Sequence, residues 1–328
     1  MRRRVRSMFG AAAVVASMAA CTSGQGRMQS LPSAAVGPAR GSWMLPGAAD
    51  KSLLYASTRS TNVKVYDYAS GELVGQLAGF NQAAGSCTDA QGNVYITNYG
   101  GGDIFKYSHG GTQPTVIEDP YALPIDCSVD PTTGNLAVVN QYGRVINRRG
   151  GNVVILPRGK GKPRVYKIPH GISYESAGYD DKGDLLACDY TGDPAYETFA
   201  IMEAGSSRFR LVNLQATYAF RGPSFIRWDG KYFVVEGQGL LGSLPTYFLM
   251  YTIAGKTGIK EGSLTLRGSG NYGGPFWVGR VDGDPKRRAN RLVEVDYDGA
   301  TFWIYPKGVS FMSIGGNDLY GGLTVSLK

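Results

Sequence analysis

Histidine is nearly missing from this sequence: two in 328 residues, His109 and His170. So small a supply excludes a multi-histidine metal site and leaves little for histidine-dependent catalysis. Cysteine is scarce too, with four residues and no Cys-x-x-Cys pair, so neither a zinc nor a haem-attachment signature is present. Charged residues make up 18%, and no Gly-x-Ser-x-Gly elbow, phosphate loop or His-Glu-x-x-His run occurs. The net charge of +8 is also smaller than it looks. Removing Arg2, Arg3, Arg4 and Arg6 from the 34 basic residues leaves 30 against 26 acidic ones, a net charge of +4. The rest of the basic residues form no continuous stripe with stacking aromatics, so nucleic acid is not an expected partner.

What the chain does hold is glycine, 47 residues, and tyrosine, 21 residues. Glycine supplies tight turns, and tyrosine suits pleated, half-buried surfaces. Both point to many short strands.

The N-terminus divides into recognisable parts. Met1–Arg6 is basic, Met8–Ala20 is a short apolar run, and Ser17-Met18-Ala19-Ala20 precedes Cys21. The apolar run is too short to span a bilayer comfortably and has the form of a signal segment. Small residues before a cysteine resemble a bacterial lipobox, which makes 1–20 a lipoprotein signal peptide and Cys21 the lipidated residue. Plain secretory cleavage near Ala20 is the alternative. Residues 21–45, rich in Ser, Gly, Pro and Ala, read as a flexible tether, and 46–328 as one folded domain. The expected location is the cell envelope, lipid-anchored at the outer membrane, periplasm or cell surface, with the protein acting as a monomer.

That domain repeats itself. The segments 85–98, 126–140, 176–189 and 224–236 each read as strand, Asp-containing turn with Gly, strand, polar residue. Each is followed by two further apolar runs, giving four strands over roughly 40–50 residues, the size of a propeller blade. Irregular blades flank them: one near 275–314 and one built from 53–57, 63–66 and 73–77 that lacks an inner strand. The orphan segment 323–327 completes that blade. The fold expected is therefore all-β, a six-bladed β-propeller whose ring is closed by the C-terminal strand. Cys87, Cys127 and Cys188 fall in core strands. Cys127 is one position out of phase with Cys87 against the Asp turns, so all three are expected to be reduced thiols.

The polar residues ending the second strands, Ser57, Asn98, Asn140, Asp189 and Glu236, with Asp296 as a sixth, occupy equivalent places in successive blades. With Tyr99 and Tyr190 beside them, they are the binding-face candidates. Two readings stay open. Short polar side chains at such places cap turn backbone. Asn140, Asp189 and Glu236 also supply hard oxygen atoms suited to Ca²⁺. The loops 192–196 and 237–245 follow second strands and would protrude on that same face.

Leu54-Tyr55-Ala56-Ser57 and Val94-Tyr95-Ile96-Thr97-Asn98 resemble the second-strand signature of NHL-type and YVTN-type propeller repeats. More distantly, the domain is similar to gluconolactonase-like six-bladed propellers. The first resemblance is specific for architecture alone; the leading expectation is a binding or scaffold module for a protein, peptide or glycan, with no cofactor, or with calcium as the alternative. The second implies a calcium-dependent lactonase-like hydrolase with Asn140, Asp189 and Glu236 as metal ligands.

Overall fold

The computed structural model describes residues 41–143, 150–190, 197–215, 224–237, 246–266, 274–281, 288–296, 298–315, 319 and 321–328. Cys21, the signal segment, most of the tether and the loops 192–196 and 238–245 lie outside the described residues. No described helix is long and apolar enough to cross a membrane.

The described strands sort into six antiparallel groups of four. Blade 1 is β2 (Leu53–Ser57), β3 (Asn62–Asp67) and β4 (Leu73–Ala78), with β25 (Gly322–Ser326) as its inner strand. Blade 2 is β5 (Ala83–Thr88), β6 (Val94–Asn98), β7 (Asp103–Tyr107) and β8 (Thr115–Glu118). Blade 3 is β9 (Ala122–Val129), β10 (Leu136–Gly143), β11 (Asn152–Leu156) and β12 (Arg164–Tyr166). Blade 4 is β13 (Ser173–Tyr179), β14 (Leu185–Tyr190), β15 (Glu197–Met202) and β16 (Arg210–Leu214). Blade 5 is β17 (Ile226–Trp228), β18 (Phe233–Gly237), β19 (Tyr247–Ala254) and β20 (Thr257–Thr265). Blade 6 is β21 (Phe276–Gly279), β22 (Arg291–Asp296), β23 (Gly299–Ile304) and β24 (Val309–Gly315).

The closing strand is where the repeat pattern requires it. β25 runs antiparallel to β2, from Leu53 opposite Ser326 to Ser57 opposite Gly322. Two details go beyond the sequence reading. Trp43–Met44 (β1) adds a fifth, outermost strand to blade 1 through Gln76 and Gly75, so the tether assigned to 21–45 runs into the blade. β16 and β20 also pair in parallel at Asn213–Thr257 and Leu214–Gly258, joining the outer edges of blades 4 and 5.

Why the strands read as nearly continuous apolar runs follows from blade stacking. Successive side chains point to opposite faces, and both faces are covered. In β10, Leu136 and Val138 pack with Tyr95 and Ile104 of blade 2, while Ala137 and Val139 pack with Tyr174 and Leu185 of blade 4. The buried apolar residues form six such clusters, one for each interface between neighbouring blades, including blade 6 against blade 1.

The tight turns behave as their composition dictates. The Asp89 carboxylate accepts the N–H groups of Gln91 and Asn93, and Asp180 accepts those of Lys182 and Asp184. Gly92 and Gly183 then take positive φ, 79° and 89°, where a side chain would strain the turn.

The expectation of three free thiols is overturned. Cys87 and Cys127 form a disulfide across blades 2 and 3, with Cα atoms 5.7 Å apart, and among the described residues Cys188 is the free, buried thiol. The phase difference that argued against pairing is what allows it. Opposite faces of adjacent blades look at each other, so side chains of opposite phase meet between them. Mutating both to Ser is expected to cost about 2–4 kcal/mol in denaturant melts, the range for a loop of this size. Thiol titration of the unfolded, unreduced chain should leave Cys87 and Cys127 unreactive.

Candidate functional site

The site is built by a fault that recurs in the ladders. In blade 4, Tyr174 pairs with Asp189 and Ser176 with Cys188, which leaves Glu175 as an extra residue. In blade 3, Asn140 pairs with Pro124 and Val139 with Asp126, which leaves Ile125. In blade 2, Ala83 pairs with Asn98 and Ser86 with Ile96, so Ala84 and Gly85 together face Thr97. A bulge at one height in three consecutive inner strands re-aims these residues. Ala84 and Ile125 line a cavity of about 180 Å³, shared with Arg59, Gln82, Tyr99 and Gln141. Blades 1, 2 and 3 all contribute.

One wall is a chain of hydrogen bonds. The Tyr99 hydroxyl donates to Gln141 Oε1 at 2.8 Å. Gln141 Nε2 donates to both Glu175 oxygens at 3.0 and 3.1 Å, and Ser173 Oγ donates to Glu175 at 2.9 Å. Burial raises the Glu175 carboxyl to about 6, against the pull of Gln141, Ser173 and Arg59. Arg59 is exposed, and its guanidinium makes no hydrogen bond or ion pair among the described residues. Arg59 and Gln82 also carry left-handed backbone, φ 52° and 62°, so two of the four described non-glycine residues in that region line this cavity. Such strain persists only where surrounding structure enforces it, and it gathers at functional sites.

Beneath the bulges an ion pair crosses the centre. Arg227 of β17 holds Asp126 of β9 with two bonds, at 2.9 and 3.1 Å, and Ser176 Oγ donates to Asp126 at 2.6 Å. Asp126 is fully buried. Arg227→Met is therefore expected to cost about 3–5 kcal/mol, measured by urea melts, because it strands a buried charge.

The expected strand-end residues lie under the face rather than on it. Asn98, Asn140, Asp189 and Glu236 are all buried. Asn98 accepts the Asn81 N–H and donates to Asp103; Asn140 donates to Asp119 and Asn152; Asp189 accepts the Ile172 N–H. These three tie strand ends to neighbouring backbone and side chains. Tyr99 is the member of the set that reaches the cavity, and the Tyr190 side chain lies outside the described residues. Glu236 differs: neither of its carboxylate oxygens has a hydrogen-bond partner among the described residues. Burial, then the carboxylates of Glu294 and Glu197, push it well above the usual carboxylate range, with Arg227 pulling the other way.

Asn140 Oδ1 and Asp189 Oδ2 are likewise buried without partners among the described residues, which suits oxygen donors for calcium. Among the described residues, however, no three His, Cys, Asp or Glu side chains come together as a metal-holding group. The expected ligand set has only two acids, Asp189 and Glu236, so a calcium ion there would need the amide oxygen of Asn140 as well.

Sequence reading missed Arg59, Gln82, Gln141 and Glu175, because a bulge leaves no mark in an apolar strand pattern. It also missed the opposite mouth, a cavity of about 610 Å³ on the Asp-turn side. Tyr179, Trp228, Trp277 and Arg280 line it. The signal available was an aromatic residue directly before the turn Asp in Tyr179-Asp180 and Trp228-Asp229.

No protein-family model matches this chain, and no curated protein does. Solved structures do. A chain of a nidogen/laminin complex superposes with a TM-score of 0.63 at 14% identity, over 84% of this chain and 98% of that one. The fold is a β-propeller. Kuenenia stuttgartiensis hydrazine synthase follows with a TM-score of 0.54 at 13% identity, covering 93% of this propeller chain and 98% of its own. Streptogramin B lyase gives 0.51 at 14% identity, covering 74% and 72%. At such identities the likeness concerns the propeller architecture alone.

Proposed function

We propose that this chain is a binding module of the bacterial cell envelope, anchored by lipid at Cys21 and recognising a protein, peptide or glycan. The observation that carries the reading is the bulge-built cavity, with exposed Arg59 at its rim and Tyr99 on its wall. A rigid ring presenting an open cavity with a few fixed polar groups suits recognition. The acids nearby are committed elsewhere: Asp126 to Arg227, Glu175 to Gln141 and Ser173. The test is the purified full-length chain on peptide and glycan arrays, beside Tyr99→Ala. Partners lost in the variant support the reading; a featureless array, or partners indifferent to the substitution, counts against it.

A calcium-dependent lactonase-like hydrolase is the second reading, favoured by the buried oxygens of Asn140, Asp189 and Glu236 that lack hydrogen-bond partners among the described residues. Stoichiometric calcium in the purified chain, lost in Asp189→Ala, together with lactone turnover, would establish it over the first.

A further inference from the structure

We propose that the bulge-built cavity captures a carboxylate group, with Arg59 as its counter-ion. The inference rests on the binding reading above and names the chemistry of that site. Arg59 offers a planar fork of N–H donors that matches a carboxylate's two oxygens. Its guanidinium makes no hydrogen bond or ion pair among the described residues and acts on Glu175 only through its charge, unlike Arg227, which is spent on Asp126. The left-handed backbone at Arg59 and Gln82 is held by the fold: a Cβ on Gly321 would lie 2.7 Å from the Arg59 nitrogen, so only glycine lets the two segments meet.

The rest of the cavity suits the group attached to such a carboxylate. Ala84 and Ile125 give it an apolar floor, and Gln82 adds an amide beside Arg59. Glu175, the acid that would repel an anion, does not line the cavity. Gln141 stands in front of it, with its amide nitrogen bonded to both oxygens. The Tyr99 hydroxyl gives its proton to Gln141, so the wall is fixed before a ligand arrives. At about 180 Å³ the space equals roughly six waters, enough for a carboxylate with a short side chain. That carboxylate could belong to a free small acid or to the C-terminus of a peptide.

Calorimetry on the purified full-length chain tests this. Acetate, lactate and benzoate would be titrated beside acetamide, lactamide and benzamide, and a hexapeptide with a free C-terminus beside its amidated form. The expected result is that acids bind and their amides do not. Arg59→Gln, with an unchanged melting temperature, should weaken binding about tenfold or more. Binding by small acids alone assigns the site to free acids, and binding by the free peptide alone assigns it to chain ends. Amides binding as well as acids, no binding by any acid, or undiminished binding to Arg59→Gln overturns the inference. If array partners persist while no carboxylate binds, the inference falls and the binding reading stands.

Discussion

Deletion of Gly322–Lys328 is expected to abolish the cooperative melt. β25 is the inner strand of blade 1, paired residue for residue with β2. Its side chains also fill the seam between blades 6 and 1, where Leu323 and Val325 pack with Val293, Val295 and Phe302. Burying two such residues contributes about 1.5–3 kcal/mol each. The lost ladder adds to this, and blade 1 would keep an unpaired edge at the axis. The sum is comparable with the whole stability of a typical domain, about 5–15 kcal/mol. The outcome to look for is a broad, non-cooperative transition by circular dichroism. A deletion variant melting like the parent would show that the ring does not depend on its final strand.

The second large effect is on pH. Burial raises Glu175 and Asp189 to about 6, and holds Glu197 and Glu236 well above the usual range. In each, the folded state binds the proton more tightly than the unfolded chain. Stability is therefore fully present below the unfolded carboxylate value near 4 and is lost as pH rises through the folded values. For Glu175 and Asp189 the loss runs from roughly pH 4 to 7 and is about 2 kcal/mol for Glu175 and about 3 kcal/mol for Asp189. Glu236 carries the loss to higher pH. Glu236→Gln cannot ionise, so it should flatten the profile and melt several degrees higher than wild type at pH 8. Thermal melts from pH 4 to 9 check this. A wild-type melting temperature that climbs from pH 5 to 8, or a parallel slope in the variant, would contradict it.

These two effects mark how far the sequence could be read. The ring was legible because blade strands bury both faces: segments such as Leu136–Asn140 are apolar throughout and end in a polar residue, and that block recurs. The orphan segment 323–327 announced its own pairing, found at Gly322–Ser326, because blade 1 lacked an inner strand. Interfaces between blades were harder. Cys87 and Cys127 looked incompatible when compared within one sheet, and they pair because stacked sheets present opposite faces to each other.

The site was less legible still. Asn98, Asn140 and Asp189 stood out as a polar column, yet their bonds stay within the protein. The residues that shape the cavity depend on one-residue slips in β5, β9 and β13, and a slip changes which way Ile125 or Glu175 points without changing the composition. Arg59 lies two residues beyond its strand, where nothing in the pattern separates it from any exposed loop cation.

Hydrogen exchange of the intact chain tests the closed ring most directly. The amides of Leu323–Ser326 should be protected to the same degree as those of Leu53–Ser57 and open together with them, since each strand is the other's ladder. Exchange of the final strand within seconds, while β2 stays protected, would contradict the ring closure on which the blade count depends.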